Sequence, residues 1–194
     1  MIIVWTLGLM SLAVAQDESA CVEDSNSNDL ISAMEVAENA WSMADADGFN
    51  RATVAVASLL PCLKDPITRA TAARIHRVQG MNFFLQRDPE KMQLSFAAAR
   101  YVQPGYDWPA DLVPPGHPVH KQYVAKSIDN PVLERTLPPK DGNSWFDGRQ
   151  SLDRPEGWPT VHQLVDDDGA IQDTWLIDPD EPVPDYPRKS ASVS

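Results

Sequence analysis

The chain of 194 residues has few of the residues on which catalytic and metal sites depend. It contains two cysteines and four histidines. It has no Gly-x-Ser-x-Gly element, no His-Glu-x-x-His pair and no phosphate-binding glycine loop. Its serines and aspartates are scattered, so they do not indicate a catalytic triad. The sequence therefore favours a protein that is not an enzyme, with no metal site and no cofactor.

Basic residues are also scarce. The chain has 16 lysines and arginines against 28 aspartates and glutamates, a formal net charge of -12. An acidic surface repels phosphate backbones and anionic lipid headgroups, so we expect no nucleic-acid partner. Cations and basic proteins are the partners that this charge favours.

Charge is absent from the first fifteen residues. An apolar run from Ile2 to Met10 is followed by small residues at Ala13 and Ala15, which predicts a secretory signal peptide over residues 1–15. The run is too short to span a bilayer, so we expect no integral membrane span. No lysine or arginine precedes the run, which leaves a buried N-terminal helix as the alternative. We expect a secreted or periplasmic protein whose acidic N-terminal lead covers 16–28.

The two cysteines, Cys21 and Cys62, are an even number in a chain expected to be exported. Such a pair predicts one disulfide bond. Two unpaired buried thiols are the alternative. A redox pair is disfavoured, because the Cys-x-x-Cys spacing is absent.

Apolar residues recur at spacings of three and four over the first two thirds of the chain, which predicts helices. Proline and glycine residues mark their ends, as at Asp88-Pro89, where aspartate caps a helix and proline takes its first position. Short connections make consecutive helices antiparallel. We therefore expect an α-helical domain over 29–127 with an ordered proline-rich crossover loop. The expected helices are Asp29 to Ala44, Phe49 to Leu60, Pro66 to Gln86, Pro89 onward, and His117 to Ser127.

Small and aromatic residues in the third and fourth expected helices have the order of a helical hairpin. They are Gly80, Phe83, Phe96, Ala99 and Pro104. This pattern resembles a tetratricopeptide repeat, with a small and an aromatic position in each helix and a proline after the second. The resemblance implies that these positions pack the two helices together and that the domain is a protein-binding scaffold.

In the C-terminal part the sequence pattern changes to a period of two residues, which is typical of strands. It predicts strands at Ser144 to Phe146, Thr160 to Val165 and Ala170 to Ile177. We expect a linker at 128–143, a small β-module at 144–178 and a disordered tail at 179–194. The fold class expected for the whole chain is mainly α, with tetratricopeptide-like antiparallel hairpins followed by a small β-hairpin or three-stranded module.

An Asp-Gly turn and a proline-led strand follow the first of these strands. The residues are Trp145-Phe146-Asp147-Gly148, Pro155 and Pro159-Thr160-Val161. This arrangement is faintly similar to the small surface β-modules called PEGA, which are built from a strand, an Asp-Gly turn and a second strand.

Three successive acids, Asp166 to Asp168, precede Gly169. In the register of an EF-hand calcium loop, the first ligand position falls on Leu164 and the bidentate glutamate position on Trp175. The acids therefore predict a hairpin turn. Calcium binding at this turn stays open.

Arginines are concentrated around the expected third and fourth helices, and tryptophans occur beside them. On one face the arginines would bind carboxylates of a partner, whereas neutralisation of the protein's own acids is the alternative. We therefore expect a non-enzymatic adaptor or scaffold of the cell envelope, bound to other envelope or secreted proteins. A glycan or cell-wall binding protein that uses the C-terminal tryptophans is the second hypothesis. The candidate binding residues are Arg69, Arg74, Arg77, Arg87, Arg100, Trp108 and Trp158.

Overall fold

Helices come first along the chain and strands second. The computed structural model describes residues 21, 24–125 and 131–188, and the signal peptide expected at 1–15 lies outside them. The five α-helices of the described residues lie close to the expected positions. They are α1 (Ser27–Ser42), α2 (Ala46–Leu59), α3 (Arg69–Gln86), α4 (Pro89–Val102) and α5 (Pro118–Ala125), with a short 3-10 helix at Leu60–Cys62.

Side-chain caps set the helix starts. The Asn26 side chain accepts hydrogen bonds from the backbone N–H groups of Asn28 and Asp29, and the Asp29 carboxylate accepts one from the backbone of Asn26. This reciprocal pair satisfies donors that the first helical turn leaves free. Asp88 caps α4 without a reciprocal bond, by accepting from the backbone N–H of Lys91. These caps fix where α1 and α4 begin.

Helices α3 and α4 form a closely packed hairpin. A Cβ atom added to Gly80 would lie 2.2 Å from Cε1 of Phe96, a distance that real Cβ atoms do not reach. Phe96 and Ala99 are buried in the main core, and Phe83 packs against its edge. Pro104 lies just beyond the end of α4 and is exposed. Glycine at position 80 thus allows the Phe96 ring to fill the space between the two helices.

Six short strands follow the helices among the described residues. A two-stranded sheet has the order β1-β4, and a four-stranded antiparallel sheet has the order β3-β2-β5-β6. Strands β2, β5 and β6 lie where the period-two pattern predicts strands. The bounds are β1 (Leu133–Arg135), β2 (Asn143–Phe146), β3 (Arg149–Gln150), β4 (Asp153–Pro155), β5 (Thr160–Val165) and β6 (Ile171–Ile177).

The expected fold class, mainly α, is wrong. The structure is 45% helical and 18% strand, and its strands form two antiparallel sheets. The three strands that the pattern misses are β1, β3 and β4, each two or three residues long. Such strands are too short to show a period. Their charged residues and the proline of β4 also have low strand propensity.

The four-stranded sheet packs on the helices and shares their core. Val161 belongs to the same buried apolar cluster as the helices, and Leu176 packs against it. Buried polar contacts cross the same boundary, because the Gln163 side chain accepts from the backbone N–H of Ile67 at 3.0 Å. Gly148, at φ 72°, approaches the backbone of Thr68 so closely that a Cβ atom would lie 2.5 Å from its carbonyl carbon. The sheet is therefore fixed against the start of α3.

The segments expected to be a linker and a disordered tail pair with each other where the structure describes them. The Lys140 N–H donates to the carbonyl of Pro187 at 2.8 Å, and the Tyr186 hydroxyl donates to the carbonyl of Leu137 at 2.6 Å. Tyr186 is buried. The described part of the tail, 179–188, is thus ordered against the linker, because a buried aromatic ring at its end gives it apolar surface to cover. Residues 189–194 lie outside the described residues.

The predicted disulfide between Cys21 and Cys62 is present. Next to it, the Ser25 N–H donates to the carbonyl of Cys62 and the Lys64 N–H donates to the carbonyl of Ser25, each at 3.0 Å. The disulfide therefore reinforces a backbone contact between the start of α1 and the end of the 3-10 helix. Within the described ranges, no helix combines the length and the apolar character needed to cross a membrane.

A buried histidine lies inside the four-stranded sheet. The His162 ring stacks between Phe146 at 4.5 Å and Trp175 at 5.2 Å, measured between ring centroids. Its Nε2 atom is 3.2 Å from the Ser144 hydroxyl. Burial, with a smaller contribution from the positive charge of Arg154, lowers the pKa of His162 from 6.5 to about 3. The ring is therefore neutral in the folded protein at neutral pH.

Acidification is expected to destabilise the protein through His162. Since its pKa is lower in the folded than in the unfolded chain, the unfolded chain binds the proton more tightly. The stability that the neutral His162 ring gives to the folded protein is fully present above pH 6.5. It is lost as the pH falls from 6.5 towards 3. Between pH 7 and pH 5 the loss is about 2 kcal/mol. Urea unfolding at both pH values measures it, and His162→Gln serves as the control. Equal pH dependence in the two proteins would contradict this assignment.

Candidate functional site

Arg74, one of the expected binding residues, is bound to acids of α1. Its Nε atom donates to Oε1 of Glu38 at 2.9 Å, its second terminal nitrogen donates to Oε2 of the same residue, and Glu35 lies 3.8 Å away. The hydrogen bond to Glu38 raises the pKa of Arg74. Bidentate pairs of this kind hold both partners in a fixed orientation. Arg74 therefore joins α3 to α1.

Arg77 is buried one helical turn later. Its guanidinium group lies 3.6 Å from the centroid of the Tyr106 ring and donates to Oε1 of Gln103 at 2.9 Å. Burial lowers the pKa of Arg77 and raises the pKa of Tyr106 and of Tyr123. The ring stacking is a cation–π contact, which offsets part of the cost of burying the charge.

Trp108 belongs to the same cluster. Its ring centroid lies 5.4 Å from that of Tyr106, 5.2 Å from that of Tyr123 and 6.3 Å from that of Phe96. Edge-to-face rings at these distances stabilise one another. Trp108 is half-buried, and this packing ties the crossover loop that contains it to the helices.

Of the other expected arginines, Arg100 contacts this cluster through the backbone of Tyr123, whereas Arg69 and Arg87 lie elsewhere. Arg69 donates to the carbonyl of Val102 at 2.8 Å, and Arg100 donates to the carbonyl of Tyr123 at 3.3 Å. Arg87 is exposed at the end of α3 with φ at 59°. The structure therefore brings Arg74 and Arg77 close together but does not arrange the five arginines in one exposed stripe.

Trp158 is not placed for stacking on a sugar. Its side chain is 6% exposed and packs on Ala97, Ala98 and the ring of Tyr101, whose centroid is 5.2 Å away. A ring that binds a glycan by stacking needs an open face. Trp158 instead joins α4 to the chain that enters β5.

An apolar surface is exposed where α3 turns into α4, and we call it the α3–α4 corner. A cavity of about 230 Å³ lies between this turn and the α1–α2 connection. A groove of about 550 Å³ adjoins it and shares Phe84 and Leu85. The aromatic and large apolar residues that line the corner are Trp41, Phe49, Phe83, Phe84, Leu85, Met92 and His117, and the polar residues are Asp45, Arg87, Asp88 and Gln122.

Aromatic rings that pack on one another form the base of the α3–α4 corner. The Trp41 ring lies 5.4 Å from Phe49, 6.1 Å from Phe84 and 5.9 Å from His117, measured between centroids. In front of them Leu85 is 42% exposed. A fixed aromatic base under an exposed leucine is an arrangement that suits binding of another apolar side chain.

A third cavity, of about 260 Å³, lies between α4 and the chain that follows β6, and we call it the acidic seam cavity. It shares Phe83 and Asp88 with the groove of the corner. Four carboxylates and one ammonium group line it, together with Ser95 and apolar side chains. The charged residues are Asp88, Glu90, Lys91, Asp178 and Asp180.

Arg154 holds one wall of the acidic seam cavity. Its side chain is buried, and it donates to the carbonyls of Asp178 at 2.6 Å and Glu181 at 2.7 Å. Burial lowers the pKa of Arg154, while Glu134 lies 3.5 Å from its guanidinium group. Hydrogen bonds from a charged donor are stronger than those between neutral groups. The loop with Asp178 and Asp180 is therefore held in place.

The acidic turn at 166–168 satisfies its first carboxylate internally. Asp166 accepts from the backbone N–H groups of Asp168 and Ala170 and from the side chain of Gln172. The backbone hydrogen bond from Ala170 is the main cause of a lowered pKa at Asp166. Among the described residues, no group of three or more His, Cys, Asp or Glu side chains is placed to hold a metal ion.

Sequence reasoning missed Phe84 and Leu85 as surface residues and the four acids of the seam. The run Phe83-Phe84-Leu85 contains a usable signal. Three large apolar residues in succession cannot all lie on the buried face of one helix, so at least one of them lies on another face. The acids come from two segments far apart in the chain, so no local pattern joins them. Searches against protein-family models, curated proteins and solved structures find no match for this chain.

Proposed function

We propose that the protein is an exported, non-enzymatic adaptor of the cell envelope that binds a segment of another protein at the α3–α4 corner. The exposed apolar surface around Phe84 and Leu85 is the observation that supports this function. The chain has a net charge of -12, and an apolar patch on so charged a surface is a typical sign of a protein interface. In this proposal the tetratricopeptide-like hairpin of α3 and α4 is the scaffold that carries the binding surface.

The shape of the corner favours an apolar side chain from an extended or helical segment. The cavity beside Trp41 has the volume for one such side chain, about 230 Å³, and the adjoining groove extends the surface to the start of α4. Binding energy at such surfaces is concentrated in a few buried anchors. Phe84 and Leu85 line both spaces, and Leu85 is the exposed one of the two, so it is the residue through which the segment would make most of its contacts.

Leu85→Asp is expected to weaken partner binding about tenfold or more, because it places a charge in the apolar contact. The measurement is affinity retention from an envelope extract of the source organism, with each retained protein quantified by mass spectrometry. Val54→Asp is the matched control, since Val54 is 59% exposed on α2 and outside the corner.

Partners that bind at the corner are retained by the wild type and by Val54→Asp but lost with Leu85→Asp. Binding of a purified partner to the three proteins by calorimetry then gives the affinity ratio. If no retained protein depends on Leu85, or if both variants lose the same proteins, the corner is not the binding surface.

A further inference from the structure

We infer that the acidic seam cavity binds a basic side chain, lysine or arginine, of the partner segment. This inference rests on the proposed adaptor function, because it supplies the chemistry of the segment next to its apolar anchor. It is carried by three separate features of the cavity: its charge, a buried hydroxyl without a partner, and apolar walls.

The charge of the cavity is negative and largely uncompensated. Asp88, Glu90, Asp178 and Asp180 are opposed by Lys91 alone among the lining residues. Asp88 caps α4 by accepting from the backbone of Lys91 at 3.0 Å. In the part of the chain that the structure describes, no salt bridge joins Glu90, Asp178 or Asp180 to a basic side chain. A cation entering the cavity therefore meets carboxylates that are not already paired.

Ser95 provides the independent observation. Its side chain lines the cavity and is 1% exposed, yet its hydroxyl has no hydrogen-bond partner among the described residues. Buried hydroxyl groups are almost always hydrogen-bonded. An ammonium or guanidinium N–H of a ligand would donate to the Ser95 oxygen, which can accept.

The walls and the size of the cavity suit a single long side chain. Phe83, Leu94, Pro159 and Pro179 give it apolar walls, which match the methylene stem of lysine or arginine. Its volume of about 260 Å³ is below the roughly 300 to 1,000 Å³ of sites for whole small molecules. Lys91 already places its ammonium group 5.6 Å from the centroid of Phe83, so this wall accepts a cation.

The position of the cavity connects it to the corner. Phe83 and Asp88 line both the cavity and the groove that contains Leu85. A partner segment with an apolar side chain on Leu85 therefore has the acidic seam directly beside it. The recognised segment combines an apolar anchor with a nearby basic residue.

Amide-resolved NMR titration of the intact protein tests the cavity without any partner. The probes are N-acetyl-lysine methylamide, N-acetyl-arginine methylamide and the uncharged N-acetyl-norleucine methylamide. We expect saturable shifts of the Ser95 and Asp180 amides with a Kd of about 1 to 10 mM for a basic probe. Binding should weaken with added salt, and the norleucine probe should bind at least about tenfold more weakly. The lysine and arginine arms distinguish ammonium from guanidinium recognition.

Variants assign the binding to this cavity. We expect Glu90→Gln with Asp180→Asn, and separately Ser95→Ala, to weaken the basic probe about threefold or more, while Lys91→Met strengthens it about threefold. Asp167→Asn is the matched control, because Asp167 is an exposed acid in the 166–168 turn, and it should change nothing. Equal shifts with norleucine, or equal shifts at the 166–168 turn, would overturn the inference.

The two proposals fail separately. Leu85→Asp should not weaken binding of the basic probe, because Leu85 does not line the acidic seam cavity and the added carboxylate attracts a cation. If the probe binds but no partner depends on Leu85, the cavity is upheld and the adaptor site is rejected. If partners depend on Leu85 but the basic probe does not bind at Ser95, the cavity inference is rejected and the adaptor site is upheld.

Discussion

Replacing Asp147 by alanine is expected to lower the free energy of unfolding by about 4 kcal/mol. Asp147 is buried in the turn after β2 and joins the two parts of the molecule. Its Oδ1 atom is 2.8 Å from Nε2 of His76 on α3 and accepts from the backbone N–H of Val161 on β5 at 2.9 Å. Alanine leaves both of these buried groups without a partner, and each such group costs about 1 to 3 kcal/mol.

Backbone conformation adds to this effect. Asp147 has φ at 49°, a left-handed conformation that aspartate and asparagine adopt more readily than alanine. Asp147→Asn keeps an oxygen acceptor and the conformational preference, so we expect it to cost only about 1 to 2 kcal/mol. Asp153→Ala is the surface control, because its ion pair with Arg135 is exposed and contributes about 0 to 1 kcal/mol.

Urea unfolding followed by circular dichroism measures all three variants. Since Ile75 of α3 and Val161 of β5 belong to one buried apolar core, we expect helix and strand signals to be lost in a single transition in each protein. A loss below about 1 kcal/mol for Asp147→Ala would show that the helices and the sheet do not depend on this contact. Two separate unfolding transitions in the wild type would also show that the helices and the sheet are not coupled through this contact.

Local patterns predict the elements of this fold well where each element is long. The apolar spacing of three and four places α1 to α5, since the buried face of a helix repeats in the sequence. Strand β5 is found because it is a run of six residues, long enough to show a strand pattern, and all six are buried. Strands β1 and β3 have no such run, and their position depends on pairing with distant residues.

Contacts between distant residues explain the rest of the differences. His76 and Asp147 are 71 residues apart in the chain, and neither position has a sequence pattern that identifies the other. The segment expected to be a linker supplies β1 and pairs with the tail. Proline-rich composition predicts irregular backbone correctly, but it does not say whether that backbone is packed.

Prediction of the site was limited in the same way. Arginines in an acidic chain indicate binding of anions, yet Arg74 and Arg77 contact groups of the protein itself. The exposed cavity instead has acidic walls, which come from α4 and from the loop held by Arg154. A composition argument predicts only that a basic partner is favoured, and the surface that would receive it depends on the tertiary structure.

Removing the disulfide is expected to have an effect as large as that of Asp147→Ala. The bond between Cys21 and Cys62 closes a loop with a sequence separation of 41 residues. By the loop-entropy relation, a closure of this length stabilises the fold by about 4 kcal/mol, mainly by restricting the unfolded chain. The double variant Cys21→Ser/Cys62→Ser should lose this amount in urea unfolding, and the wild type should lose the same amount after reduction.

The location of the loss distinguishes the disulfide from the alternative of two buried thiols. The loop contains α1 and α2, whereas the α3–α4 hairpin and the sheet lie outside it. The rate of amide hydrogen exchange in the double variant should therefore increase most in α1 and α2, because the missing bond closes the loop that contains them. If reduction leaves the stability and the exchange of the wild type unchanged, the cysteines stabilise the fold only as apolar side chains. In that case the start of α1 is held by its hydrogen bonds, among them those of Ser25 with Cys62 and Lys64 and those of Ser27 with Asp65.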